Sequence, residues 1–194
     1  MFESSKSIFR RCHDIRFTTR YFVGDGIDIG AGPDSLGYYS YLFPGIKTCK
    51  DWDLPDGDAQ YLKGVADNTY DFVHSSHCLE HLVDPKESLS NWIRVLKPGG
   101  HLIVMIPDED LYEQGIFPST FNTDHKWTFS MHKETSWSPN CISVFSLISA
   151  FATSIIPLKV ERIDHIYNFN LDRFDQTASP VTEAAIEFIC QKVR

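Results

Sequence analysis

An α/β fold with a mostly parallel, doubly wound sheet is what this 194-residue sequence predicts, and three stretches carry the prediction. In Gly26-Ile27-Asp28-Ile29-Gly30-Ala31-Gly32, apolar residues suited to a strand buried on both faces run straight into a glycine-punctuated turn. Asp71-Phe72-Val73-His74-Ser75-Ser76 reads as a second inner strand ending in small polar residues. His101-Leu102-Ile103-Val104-Met105-Ile106-Pro107 is a third buried strand, fed by an amphipathic helix. Strands alternating with helices in this order argue for parallel pairing and crossover connections.

The glycine turn departs from a dinucleotide loop. A G-x-G-x-x-G fingerprint seats a pyrophosphate on a helix N-terminus, but here the third glycine position is Ser35. Asp28 stands two residues before Gly30, and a carboxylate there repels a pyrophosphate while attracting the ammonium or sulfonium of a zwitterionic cofactor. The Asp28-x-Gly30-Ala31-Gly32 run resembles motif I of the class I S-adenosylmethionine-dependent methyltransferases, and the resemblance extends from about residue 21 to 194.

That resemblance implies S-adenosyl-L-methionine as cofactor and assigns further positions. The acid that holds the ribose hydroxyls is Asp53, at the end of Ile46–Asp53 before the Leu54-Pro55 break, with Asp51 as the alternative. Asp58 and Ala59 take the places that meet the adenine amine and ring, after a third strand position. Asp71–Leu82 resembles the D-F-V-x-S-x-x-x-L-E-H segment of the type 11 subfamily, which places Ser76 and His77 at the cofactor cleft, where open sheets bind ligands. His77-Cys78-Leu79-Glu80-His81 also matches H-x-x-E-H, a zinc-hydrolase pattern. A cofactor loop at the right distance upstream argues against that reading, so no metal is expected.

The helix before the third strand has Asp84 as cap, Pro85 in its first turn, Glu87 at capping-box spacing and Leu89, Trp92, Ile93 and Leu96 on one face. Lys97-Pro98-Gly99-Gly100 ends it, and Arg94 to Val104 is a further stretch resembling the family. Beyond the core, residues 107–141 read as a substrate-binding or lid insertion, with Asp108, Tyr112, His125 and Trp127 as substrate contacts. A helix is expected around Ile142 to Ser154, then strands at Leu158–Tyr167 and Ala184–Lys192 closing as an antiparallel hairpin. The expectation is one Rossmann-like domain over 1–194 with a seven-stranded sheet and an antiparallel last strand.

Composition sets limits. Hydrophobic content of 42% supports a full core, and a net charge of −8 excludes a nucleic-acid groove as the main business. No apolar run is long enough to span a bilayer. Five cysteines without C-x-x-C pairing read as reduced thiols of a cytoplasmic protein. Lys6, Arg10, Arg11, Arg16 and Arg20 make segment 1–22 basic: a solvated helix face, a flap over the cofactor, or a contact for an acidic partner.

Asp124-His125-Lys126-Trp127-Thr128-Phe129-Ser130 resembles the D-H-x-x-x-F-(S/T) stretch of type 11 methyltransferases, several of them encoded among cell-surface polysaccharide genes, and the reaction this resemblance implies is methyl transfer to an oxygen or nitrogen of a polar small-molecule or saccharide acceptor. His77 and His125 are the candidate proton acceptors, and His81 is read as structural. A non-catalytic cofactor-binding protein of the same fold is the alternative. A nicotinamide reductase is disfavoured because no tyrosine has a lysine four residues on.

Overall fold

The computed structural model describes residues 3–194. Helix α1 (Glu3–Cys12) leads through a short π-helical turn into strand β1 (Gly24–Ile29). β2 (Ile46–Trp52), β3 (Tyr70–Ser76), α2 (Pro85–Val95) and β4 (Leu96–Pro107) follow. Short strands β5 (Thr128–Ser130) and β6 (Cys141–Ser143), helix α3 (Val144–Ser149), β7 (Ile155–Ile163) and β8 (Ala185–Lys192) complete the chain. The main sheet has the order β2-β1-β3-β4-β8-β7, while β5 and β6 pair apart from it.

β1 pairs in parallel with β2 and β3, and β3 with β4, so the strand order reverses at β1. The carboxyl ends of β1 and β3 therefore flank the crevice where such sheets bind ligands. Both faces are covered. Phe17, Tyr21, Phe22, Phe43 and Phe72 pack on the α1 side, and Ile27, Val73, Trp92, Leu102 and Phe188 form the core beneath α2 and α3. This explains why β4 carries an unbroken buried run from Leu102 to Ile106 instead of alternating. At the head of α2, the Asp84 carboxylate accepts from the backbone N–H groups of Lys86 and Glu87, as the capping pattern predicts.

The sheet has six strands, not seven. Residues 53–69 are turns throughout, because Asp53-Leu54-Pro55-Asp56-Gly57-Asp58 is rich in turn formers and has no apolar run to build an edge strand. Asp58 and Ala59 thus follow the second strand directly. The expected helix over 142–154 shortens to α3, since Ile142 is drawn into β6 and the Ser143 hydroxyl caps the helix by accepting from Ser146 N–H. β7 starts three residues earlier than expected, its pairing with β8 running from Ile155 opposite Lys192 to Ile163 opposite Ala185, with an irregularity at Pro157. The antiparallel closure itself is as predicted.

The basic N-terminal segment is solvated only in part: Arg16 and Arg20 are exposed, whereas Lys6, Arg10 and Arg11 turn inward. Arg11 is fully buried: its Nε donates to Glu187 Oε2 at 2.9 Å and its Nη1 to His74 Nε2 at 3.0 Å. Arg10 reaches Glu187 Oε1 at 2.8 Å and Glu183 Oε2 at 2.9 Å, and Lys159 Nζ donates to Glu187 Oε1 at 2.9 Å. Three cations thus converge on one carboxylate in the middle of β8. Burial alone would raise the Glu187 pKa, but Arg11, Arg10 and Lys159 hold it well below the ordinary range.

A pKa depressed by folding contributes stability above the unfolded value and loses it as pH falls. Glu187→Gln is expected to cost about 3–5 kcal/mol near neutral pH, because it strands buried cations. The difference from the parent should shrink as pH drops below about 4.3, the ordinary glutamate value. Denaturant unfolding at a series of pH values measures both, and a pH-independent difference would show that packing, not charge, holds this site.

Candidate functional site

The loop after β1 is built on two glycines with different jobs. Gly30 has φ +74°, and a Cβ there would lie 2.6 Å from the Cys78 Cβ, so strand end and turn can approach only without a side chain. Gly32 has φ +52°, and a Cβ there would meet only the Gly30 carbonyl oxygen, at an unstrained 4.0 Å. Asp28, buried at the end of β1, is held on both sides: Oδ2 accepts from Leu36 N–H at 2.7 Å, and Oδ1 lies 2.6 Å from His74 Nδ1, its register partner on β3. Since the Arg11 guanidinium has no acceptor, His74 Nε2 must accept from it, which assigns the ring proton to Nδ1 and points it at Asp28.

A cavity of about 190 Å³ opens beside this loop. One end is Asp28, Gly30, Ala31 and Gly32; the other is His77, Glu80, His81 and His125, with Ser76 between. Glu3 and Ser4 of α1 form part of its wall, so the N-terminal segment does lie over the loop. Asp34 docks that helix, Oδ2 accepting from Ser5 N–H at 2.9 Å.

The far end is assembled by the turn after β3. His77 takes a left-handed conformation at φ +53°, uncommon outside glycine and costly by about 1–3 kcal/mol. Residues 79–81 then make one tight 3-10 turn. The insertion drapes across it, because the N–H groups of Lys126 and Trp127 both donate to the Glu80 carbonyl. This lays His125 against Glu80. The His125 Nδ1 is 2.7 Å from Glu113 Oε1, and the His81 Nδ1 is 2.9 Å from Asp124 Oδ2. Burial would lower the His77 pKa, but Glu80 and Glu3 raise it on balance; burial would raise that of Glu80, and the three histidines lower it.

The expected residues divide. Asp28, Gly30, Ala31, Gly32, Ser76, His77 and His125 come together around the cavity, and His81 joins them. Asp53 stands at the carboxyl end of β2, its side chain bonded only to local backbone, whereas Asp51 is tied to the Ser35 hydroxyl. Asp58 is exposed, and Ala59 packs on the core. Asp108 does not line the cavity: it is buried, accepts from the N–H groups of Asp110 and Leu111, and is pushed up to about 6 by that burial. Trp127 also turns away, donating to the carbonyls of Leu82 and Val83. Tyr112 stacks on His125 at 5.2 Å between centroids, placing it behind the site. Glu3, His74, Glu80 and Glu113 were not expected; the register opposite Asp28 was the available signal for His74, and the acid inside H-x-x-E-H was the one for Glu80.

Residues 46–104 match the profile of a family described as a methyltransferase domain. The sheet order, glycine loop and this match agree. Over that stretch, under a third of its length, the chain is similar to the methyltransferase-domain family. A demethylmenaquinone methyltransferase of Renibacterium salmoninarum is 40% identical over 83 residues, 43% of this chain and 33% of that protein. A ubiquinone/menaquinone biosynthesis C-methyltransferase of a Ruegeria species is 35% identical over 80 residues, 36% of this chain and 31% of that protein. The matched segments thus span about a third of each curated relative.

Among solved structures, a SAM-dependent methyltransferase from Archaeoglobus fulgidus superposes with a TM-score of 0.59 at 16% identity, covering 98% of this chain and 96% of that one. The phosphoethanolamine N-methyltransferase 2 of Haemonchus contortus, solved with S-adenosyl-L-methionine, gives 0.58 at 15% identity over 100% of this chain and 57% of that one. At these identities the likeness is one of fold.

The cavity suits the cofactor's chemistry. The unpartnered Oε2 of Glu3 and the unpartnered Ser76 hydroxyl line it, together with Asp28 and Asp34. A site with four such groups and no lysine or arginine in its lining accepts a cation and not a pyrophosphate.

The two glycines generate a contrast. Gly30→Ala should destabilise the fold by roughly 2–4 kcal/mol, from left-handed strain plus overpacking against Cys78. Gly32→Ala should cost only about 1 kcal/mol, from strain alone. Chemical denaturation of the pair checks this, and equal costs would contradict the packing assigned to Gly30.

Proposed function

We propose that the chain transfers the methyl group of S-adenosylmethionine to an oxygen, or failing that a nitrogen, of a polar small molecule such as a saccharide. The observation that carries the reading is the single cavity joining the glycine loop to a polar end made by His77, Glu80, His81, Asn122 and His125. Bound S-adenosylmethionine supplies an electrophilic methyl on a sulfonium, which leaves as a neutral thioether while the acceptor's lone pair forms the new bond. The chain's part is alignment, exclusion of water by Glu3 and Ser4 of α1, and removal of the acceptor's proton. Positioning of this kind supplies on the order of 7–11 kcal/mol.

His125 is the candidate proton acceptor with the better geometry. Its Nδ1–H faces Glu113, which leaves Nε2 as the lone-pair nitrogen on the cavity side. His77, the other candidate, lines the same wall.

A second reading, ring C-methylation of a quinone, is favoured by the names of the curated relatives. The lining argues against it. Apart from Gly30, Ala31, Gly32 and Pro33 the lining residues are acids, imidazoles, an amide and hydroxyls, which offer an isoprenoid quinone few apolar side chains.

Calorimetry with S-adenosylmethionine, its demethylated product and NAD tests the cofactor assignment, and binding of NAD alone would overturn it. Asp53→Ala is expected to weaken the adenosyl ligands by roughly 1–3 kcal/mol with little change in Tm. Asp51→Ala should lower Tm instead, since it frees Ser35; the reverse pattern would move the ribose contact to Asp51. A labelled-methyl screen of hydroxylated, amine and quinone acceptors then decides the acceptor class, and turnover of the quinone alone would replace the polar reading.

A further inference from the structure

Glu80 presents an unsolved electrostatic problem. It is fully buried, and neither carboxylate oxygen has a hydrogen-bond partner. His77 Nδ1 stands 3.4 Å from Oε1, beyond good hydrogen-bond geometry, and the His81 and His125 Nε2 atoms are each 3.9 Å from the same oxygen. Three imidazoles at ion-pair distance favour its charged form, yet none bonds it, and the oxygen they surround is free to meet a shared cation.

The surrounding imidazoles show what. His81 turns its Nδ1 to the Asp124 carboxylate, and His125 turns its Nδ1 to Glu113, so both rings are fixed with Nε2 toward Glu80. A histidine whose far nitrogen is anchored by a carboxylate is the arrangement that orients metal ligands. One atom each from Glu80, His81 and His125 lie within 4.8 Å of one another. Two ligands of a zinc-like ion sit about 3.4 Å apart when metal–nitrogen bonds are about 2.1 Å. Small side-chain rotations supply the difference.

We propose that Glu80, His81 and His125 bind one divalent transition-metal cation, with the remaining coordination positions open to the cavity. Two imidazoles and a carboxylate suit zinc, iron, cobalt or manganese better than magnesium or calcium. This reverses the expectation of no metal drawn from the sequence. There, H-x-x-E-H was weighed as a protease motif; here the first histidine, His77, is not one of the three ligands, and the third, His125, comes from the insertion.

The consequence for the acceptor rests on the methyl-transfer reading above. With its Nε2 on the ion, His125 would not take the proton itself; a hydroxyl bound to the open position would lose its proton to His77 or solvent more readily, and the resulting oxygen would be held at the cavity end facing the glycine loop. An oxygen acceptor, and best a vicinal pair of oxygens able to chelate, is the substrate class this favours.

The test uses the full chain stripped with a chelator and titrated with Co²⁺, followed by its visible absorption, by elemental analysis of retained ion and, separately, by calorimetry with S-adenosylmethionine. One ion per chain is expected. Glu80→Gln, which removes a ligand but no hydrogen bond, should stay folded and bind Co²⁺ at least roughly 100-fold more weakly. Asp124→Asn removes no ligand and alters an exposed residue that contacts His81 only at its far nitrogen, so a roughly 10–100-fold loss of cobalt affinity would report its grip on that ring. Absence of a stoichiometric ion, or affinity equal in parent and Glu80→Gln, overturns the inference. S-adenosylmethionine binding without cobalt binding would remove the metal and leave the methyltransferase reading standing; cobalt binding without it would do the opposite.

Discussion

A buried guanidinium governs the architecture. Arg11 sits at zero exposure with Glu187 on one side and His74 on the other, and through His74 it reaches Asp28. Helix α1, the inner strands β1 and β3 and the antiparallel strand β8 are thereby joined by one chain of charge-assisted bonds. Truncating a member leaves a charge without its partner in the low-dielectric interior, which costs more than the intact pair contributes. The device fixes more than stability. Because Arg11 can only donate, His74 must present its proton to Asp28, and the carboxylate at the head of the glycine loop is held in one orientation. Position of the N-terminal helix and geometry of the cofactor loop are set by the same contact.

That coupling also accounts for an unusually compact cofactor side. The sheet ends at β2, and the turns of residues 53–69 do the work that a further strand and helix would otherwise do. Gln60 ties these turns to α2 through Glu87 and to the Asp84 N–H, and the Trp92 indole donates to the Ala59 carbonyl. The rim that follows β2 is thus pinned by α2 instead of by a neighbouring strand. On the other rim α1 supplies the wall, with Glu3 and Ser4 at its free end and the Arg10 and Arg11 anchors at its other end. The start of the helix is docked through the Ser5 N–H on Asp34 and through Lys6, which donates to the Thr177 carbonyl.

How much of this the sequence made legible depended on whether a residue's role was local. The parallel strands, the glycine loop, the Asp84 cap and the antiparallel close follow from short-range pattern, and the structure bears them out. The seventh strand was assumed from resemblance, and the turn formers between Asp53 and Asp58 spoke against it. Arg11 looked like part of a solvated basic stretch because its partners, His74 and Glu187, are 63 and 176 residues away. Asp108 and Trp127 looked like substrate contacts because they are polar or aromatic in a long insertion. Each is spent on holding that insertion's backbone in place, a role no local pattern separates from binding.

One chemical device appears at both ends of the cavity with opposite outcomes. At the glycine end, a carboxylate fixes an imidazole, Asp28 with His74, and the free ring nitrogen is consumed by Arg11, so the pair is closed and holds the loop. At the far end, Glu113 and Asp124 fix His125 and His81 in the same manner, yet their second nitrogens face a bare carboxylate instead of a cation from the chain. An imidazole with one side anchored and the other satisfied is scaffolding. With the other side turned toward an unsatisfied anion it is a ligand or a base. The difference is the cation: Arg11 supplies it for Asp28 and His74, and no lysine or arginine lines the cavity to supply it for Glu80. On the proposal of a bound cation, the partner that bridges these imidazoles to Glu80 comes from solution, and the site's chemistry is set by it as much as by the fold.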